Sequence, residues 1–321
     1  MNARMRNCLL AILFLLGGCS SLEASCAPSC SNLNLTNRNY ENAALADAKF
    51  IESNLRQARF TNADLRGADF SGAKMPKAEL RGADLQNARL IGADLTQANL
   101  GDANLEYANL GSATLQEANL VRASLRGAIT ADLDLTDAQM NGLDLSGMNF
   151  TATVLQGAKL ATANLSSSML SGSELSGADL RGALLIRATM AGAWLNLTNL
   201  TSANLRDAIL NGSSLYGANF AGADLRGAQL RGAVLVGAKL NGADLRDADL
   251  RGAQLRFDPQ KFNLGDAVHD PLLAELTQAE RAALNVDADL RGARYNRATR
   301  WPDGYRIPDE ATFVPDANNA P

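Results

Sequence analysis

One histidine, His269, serves the whole chain of 321 residues. It stands beside Asp270, at a point that reads as a loop entering a helix, where a lone histidine is more often structural or solvated than catalytic. No glycine-rich phosphate loop follows a strand, no carboxylate pair marks a cleft, and the four cysteines form no metal-ligand cluster. Catalysis therefore has no visible seat, and neither a cofactor nor a metal is expected. Aromatic residues make up only 5% of the sequence, so a core must be built from leucine and alanine and must be narrow. Charge of one sign is also missing. Thirty basic against 34 acidic residues leave a formal net charge of −4, which supplies neither the basic field of a nucleic-acid binder nor a dense acidic one. The apolar run from Leu9 to Leu16 is too short for a transmembrane helix, which needs about 20 residues.

That short run has a different anatomy. Arg4 and Arg6 precede it and Gly17, Gly18 and Cys19 follow, which is the layout of a signal peptide over residues 1–18. Its end, "LGGC", resembles the lipobox of bacterial lipoproteins. The resemblance implies that Cys19 becomes the new N-terminus and carries lipid, anchoring the chain in a bilayer by two or more acyl chains. Ser20, in place of an aspartate, implies sorting to the outer membrane, at its periplasmic face. Ordinary secretory cleavage beside a chance cysteine is the alternative, and it still leaves the protein exported. Cys8 departs with the signal. Cys26 and Cys30 then remain as an even pair in an oxidising compartment, and a disulfide across "CAPSC" is expected. Two cysteines alone would be half a zinc site at best. Residues 19–32 read as an anchor segment and N-terminal cap.

What the chain has in abundance is a period of five. From Leu35 to Leu255 every fifth residue is apolar except Thr130, and the residue two before it is nearly always alanine. On an α-helix a step of five advances about 140°, so the leucines would encircle the helix. In a continuous strand five is odd, and successive leucines would face opposite sides. Both conflicts vanish if each pentad holds its own corner: alanine and leucine share one inward face, and the residues between turn the chain. Stacked coils then make a β-solenoid. The central residues alternate in kind. Odd multiples of five are leucine except Met75, whereas even ones include Tyr40, Phe50, Phe60, Phe70, Thr130, Met140, Phe150, Met190 and Phe220. Four faces per coil keep the two kinds in separate columns and three would mix them.

The runs "ADLRGADF", "ANLEYANL" and "GADLRDADLRGAQL" resemble the pentapeptide-repeat family, with its A(D/N)LXX pattern, over residues 33–255. The resemblance implies an all-β solenoid, a right-handed quadrilateral β-helix of about eleven coils, on the order of 50 Å long at ~4.8 Å per coil. An irregular coil is expected at Thr130, between Leu110 and Phe150 in four-face stacking, with Leu133, Leu143 and Met148 at alanine positions returning the lost volume.

After Leu255 the period stops. Residues 256–285 read as a helical insertion: Asp270–Pro271 is a helix start, Thr277 with Glu280 a capping box, and Leu272, Leu273, Leu276 and Leu284 an apolar face expected to cap the open end of the solenoid. Residues 286–308 resemble the closing coil and turn of the family, and 309–321 read as a loose tail. Arg291, Arg294, Arg297, Arg300 and Arg306 make this the most basic part of the chain, to be paired with Asp287, Asp289 and Asp303 or used as a docking patch.

The activity the resemblance implies first is protection of DNA gyrase by a rod that mimics duplex DNA. Near-balanced charge over residues 31–255 and the export signal both count against it. The expected function is a non-enzymatic, membrane-anchored scaffold in the bacterial envelope. Its partners would be the lipid bilayer through Cys19, an unidentified envelope protein and a second copy through the C-terminal helix, with no nucleic acid.

Overall fold

The computed structural model describes residues 29–258 and 270–315, in two compact units that meet in sequence at Asp144 and Leu145. Cys19, Cys26 and His269 lie outside the described residues. Within each unit every pentad repeats one conformation: two turn residues, an inward residue, an outward residue that bridges to the next coil, and a second inward residue. The bridges are parallel and join residues twenty apart, such as Asn34 to Asn54 and Asp64 to Asp84 in the first unit, and Met169 to Thr189 and Asn204 to Asp224 in the second. Four pentads thus close one coil, and each unit is a right-handed, four-faced β-helix.

One pentad accounts for all its amide hydrogens. Asp64 donates to Ala43 in the preceding coil at 2.9 Å, and Leu65 to Asp84 in the next at 2.8 Å. Ala63 closes the turn onto Phe60 at 3.0 Å, and Asn62 reaches Arg81 at 2.9 Å. The amide left over is that of the first turn residue, Arg66, and the Asp64 side chain accepts it at 3.3 Å. The same Asx turn recurs at Asp69, Asn99, Asp134 and Asn219. Aspartate or asparagine is therefore favoured before leucine because its side chain fulfils a backbone need, although Lys49, Arg59, Glu79 and Ile129 hold the same position. The second turn residue adopts a positive φ throughout, 66° at Gly67 and 55° at Asn62. L-residues disfavour that region by roughly 1–2 kcal/mol, which explains the frequent glycine and asparagine there.

The interior bears out the alternation of the central residues. Tyr40 stacks on Phe60 (4.9 Å between ring centroids, 17°) and Phe50 on Phe70 (5.0 Å, 5°), each pair one coil apart in a column. Phe50 also meets Phe60 edge-on at 5.7 Å, so the two columns face each other across the axis. Rings ten residues apart come from opposite faces, which is possible only with four faces per coil. Around Thr130, itself buried, Leu133 and Leu143 fill alanine positions, and their turn bonds lengthen to 3.4 and 3.3 Å.

The insertion is a detour inside one turn. Ala288 donates to Leu255 at 2.7 Å, the bond that closes an ordinary turn between Ala58 and Leu55, and the coil resumes as Lys239, Asp244 and Asp249 bridge to Asp289, Arg294 and Arg300. Within the detour, Asp270 caps α1 (Pro271–Glu275), accepting from Leu272 and Leu273, while Thr277 and Glu280 exchange hydrogen bonds ahead of α2 (Gln278–Leu284).

These helices do not cap the end of the solenoid, as the leucine pattern suggests. They run back along one corner of the second unit, over Ser176, Asn196, Tyr216 and Val236. Leu273 packs with Tyr216 and Val236, and Leu197, Val234, Leu276 and Leu284 surround them. The fit requires glycine: Leu284's carbonyl oxygen occupies the space where a Cβ of residue 237 would stand. The end is finished instead by the segment expected to be loose. Strand β1 (Arg294–Tyr295) pairs in parallel with β2 (Thr312–Phe313), and Tyr295 contacts both Trp301 and Phe313 edge-on. Two residues of strand carry no periodic signal, which is why the sequence leaves this closure unmarked.

Replacing Phe60 by alanine removes a ring that touches three others and should lower stability by about 3–5 kcal/mol in chemical denaturation. Asp270→Ala should speed hydrogen exchange across residues 271–284 while leaving the repeat amides protected.

Candidate interaction surface

Outward positions decide what the surface can do. In the recurring "DLRG" turn, aspartate holds the backbone while arginine two residues on grips the same carboxylate. Arg66 Nε and Nη2 reach Asp64 at 2.8 and 2.6 Å, and the pairs Asp179–Arg181, Asp244–Arg246 and Asp289–Arg291 repeat the geometry. The arginine hydrogen bonds hold Asp64, Asp179 and Asp289 below the usual carboxylate range. Six carboxylates are thus paired within their own turn, those of Asp64, Asp179, Asp224, Asp244, Asp249 and Asp289. The C-terminal arginines follow suit: Arg291 pairs with Asp289, Arg294 with Asp244 and Arg300 with Asp249, rather than with Asp287 or Asp303.

Against this background one side of the second unit stands out because it has no charge to cancel. Over its outward residues Asn149, Met169, Thr189, Ile209 and Gln229 this face carries none, and the run ends at Asp249, which bridges to Gln229. The corner that follows is also uncharged from Thr151 to Gly212 (Thr151, Ala152, Ser171, Gly172, Ala191, Gly192, Asn211, Gly212), and Trp194 lies half-buried on the next face. Met169 is 43% exposed. A flat, neutral, partly apolar surface of this kind suits protein contact better than small-molecule binding, which needs a concavity. The concavity of about 690 Å³ between Gly252–Asp258 and Pro302–Tyr305 offers two carboxylates, Asp258 and Asp303, but no histidine, cysteine, serine or lysine among the described residues.

The corner beneath the helices has its own polar clamp. Asp270, 2% exposed, accepts from Ser176 Oγ and from Asn196 Nδ2 at 2.6 Å, while Asn196 Oδ1 accepts from the Tyr216 amide and Ser214 Oγ. Sequence reasoning missed these residues. The signal was present as a column: Ser176, Asn196, Tyr216 and Val236 recur every twentieth residue at the first turn position, with Leu197 at a positive φ of 57° beside them.

Of the sequence-derived sites, Cys30 is buried and disulfide-bonded, and the other three cysteines lie outside the described residues. Among the described residues no group of histidine, cysteine or acidic side chains could hold a metal, and no helix is long and apolar enough to cross a membrane.

Comparison with known proteins agrees with this geometry. The family profile for pentapeptide repeats matches eight copies, from 29–67 to 228–257, and skips only residue 130 in between, the site of Thr130. No curated protein matches the chain. Among solved structures, HetL, a pentapeptide repeat protein involved in heterocyst differentiation regulation from the cyanobacterium Nostoc sp. strain PCC 7120, is 28% identical over 88% of this chain and 94% of its own, with a TM-score of 0.34. A pentapeptide repeat protein of the Arabidopsis thaliana thylakoid lumen is 36% identical over 33% of this chain and 67% of its own, TM-score 0.16. Full-length QnrB1, a plasmid-mediated fluoroquinolone resistance protein, is 17% identical over 77% of this chain and 100% of its own, TM-score 0.17. Superpositions this loose say nothing about function.

The ion pairs make one pH effect testable. Arg122 donates to Asp102 through Nε at 2.5 Å and Nη2 at 2.8 Å, and with Arg81 brings its carboxyl down to about 2. A carboxyl depressed by folding stabilises the fold above the ordinary value near ~4, and loses that contribution as pH falls toward its folded value. In Arg122→Ala, the Asp102 midpoint read by carboxyl carbon NMR should rise toward the ordinary value; an unmoved midpoint would remove the guanidinium as the cause.

Proposed function

The chain belongs to the pentapeptide-repeat family, and on that premise we propose that it is a non-enzymatic scaffold of the bacterial envelope. Proteins built on this repeat are generally structural or interaction proteins. Cys19 carries the lipid anchor, the outer membrane holds it at the periplasmic face, and a stiff stack of about eleven coils at ~4.8 Å each presents its uncharged side to an envelope protein. The observation that carries this reading is the internal cancellation of charge beside a face that has none.

The same cancellation counts against the alternative, a DNA-mimicking protector of gyrase. Such a mimic needs carboxylates left free to imitate phosphates, and here the guanidinium two residues away already occupies them at Asp64, Asp179 and Asp244. A homodimer through the helical segment would have to use the outer side of α2, since Leu273, Leu276 and Leu284 are engaged with Tyr216 and Val236.

Radiolabelled palmitate with membrane fractionation tests the anchor. Label should appear in the outer-membrane fraction and vanish in Cys19→Ala. An unlabelled cytoplasmic protein would overturn the reading and make a gyrase supercoiling assay the next measurement.

A further inference from the structure

Next to the uncharged face, the "DLRG" grammar fails in two successive coils. At residues 184–186 the chain reads Leu-Leu-Ile and one coil on, at 204–206, Asn-Leu-Arg, before the next coil reads Asp224-Leu225-Arg226. The first change puts Leu184 on the surface, 41% exposed. The second leaves Arg206 beside an amide, which accepts its backbone N–H at 3.2 Å but cannot balance its charge. Arg187 donates its own amide to the Arg206 carbonyl at 2.9 Å, so the two cationic residues sit on adjacent coils. Both are exposed, and neither has an ion pair among the described residues. The nearest acid in sequence, Asp207, places its carboxylate over Gly227 in the following coil.

Exposed apolar groups adjoin these cations on the same corner. Leu184, Ile186, Arg187 and Thr189 follow one another around it, and Thr189 is bridged to Met169 on one side and Ile209 on the other. Two arginines without an ion pair, set against exposed leucine and methionine, are complementary to one chemistry.

We propose that this corner docks a protein segment in which aspartate or glutamate alternates with apolar residues. A carboxylate of the partner completes at Arg206 the bidentate pairing that Asp224 provides at Arg226, while its apolar side chains cover Leu184 and Met169. An anionic bilayer is the weaker fit, because two arginines supply little headgroup attraction and a lipid surface has no use for the fork geometry.

This inference rests on the scaffold reading and names the chemistry of its partner. The test uses the purified full chain with three probes: a labelled dodecapeptide alternating aspartate and leucine, its lysine and leucine counterpart, and phosphatidylglycerol vesicles. The acidic peptide should bind, weaken roughly tenfold or more in Arg187→Glu/Arg206→Glu and in Leu184→Asp, and remain unaffected in Arg56→Glu, a surface change on the other unit. The lysine peptide should not bind. Circular dichroism confirms that the variants fold, which is expected because every changed side chain points outward. Absence of acidic-peptide binding, equal binding by the charge-reversed variant, or binding to vesicles alone would overturn the proposal. Palmitate labelling of Cys19 reads the anchor independently, so a failed partner and a failed envelope location give different results.

Discussion

Everything in this molecule depends on a corner every five residues whose second member has a positive φ. Once that corner is fixed, the amide of each inward leucine meets a carbonyl of the next coil, and each outward residue donates back to the coil before. One donor per pentad is left without a backbone partner, and where the residue two earlier is aspartate or asparagine its side chain satisfies it. Inward leucine, inward alanine and outward Asx are therefore three answers to a single geometric demand. The repeat tolerates almost any residue at its two turn positions, and specificity can only be written there and at the outward position.

The fold was legible for this reason. A period of five is incompatible with continuous helix or strand, and the separation of aromatic from leucine positions is enough to require four faces; the stacking of Tyr40 on Phe60 and the crossing of Phe50 with Phe60 are its direct expression. The capping residues Asp270, Thr277 and Glu280 were readable because capping is local chemistry. Placement of the helices was not readable from their own sequence. Leucines on a short helix announce that something will be covered but do not say what, and the matching surface was spread over four coils at intervals of twenty residues. The uncharged side of the second unit was hidden in the same way, since Met169, Thr189 and Ile209 are neighbours only after the chain has coiled.

The cancellation of charge within single turns has a further meaning for how such a surface can evolve. Where Asp and Arg close on each other, as at Asp179 and Arg181, the pairing is local to one turn, and a substitution there leaves the pairs of other turns in place. Departures from the motif, as at Leu184 and Asn204, then change the surface without touching the core, because the inward residues Leu185 and Leu205 remain fully buried.

A solenoid held only by neighbour-to-neighbour contacts should come apart coil by coil, each opening as soon as its own bridges fail. The insertion alters that. Asp270 grips Ser176 and Asn196, while the same segment is rooted at Leu255 and Ala288, several coils further on. Under tension applied at the C-terminus, the coils between cannot peel in sequence, because the strap lies across them as a splint along a seam. Load is shared over the whole block until the clamp gives way, and the second unit, pulled from its C-terminal end, would yield there in one large step.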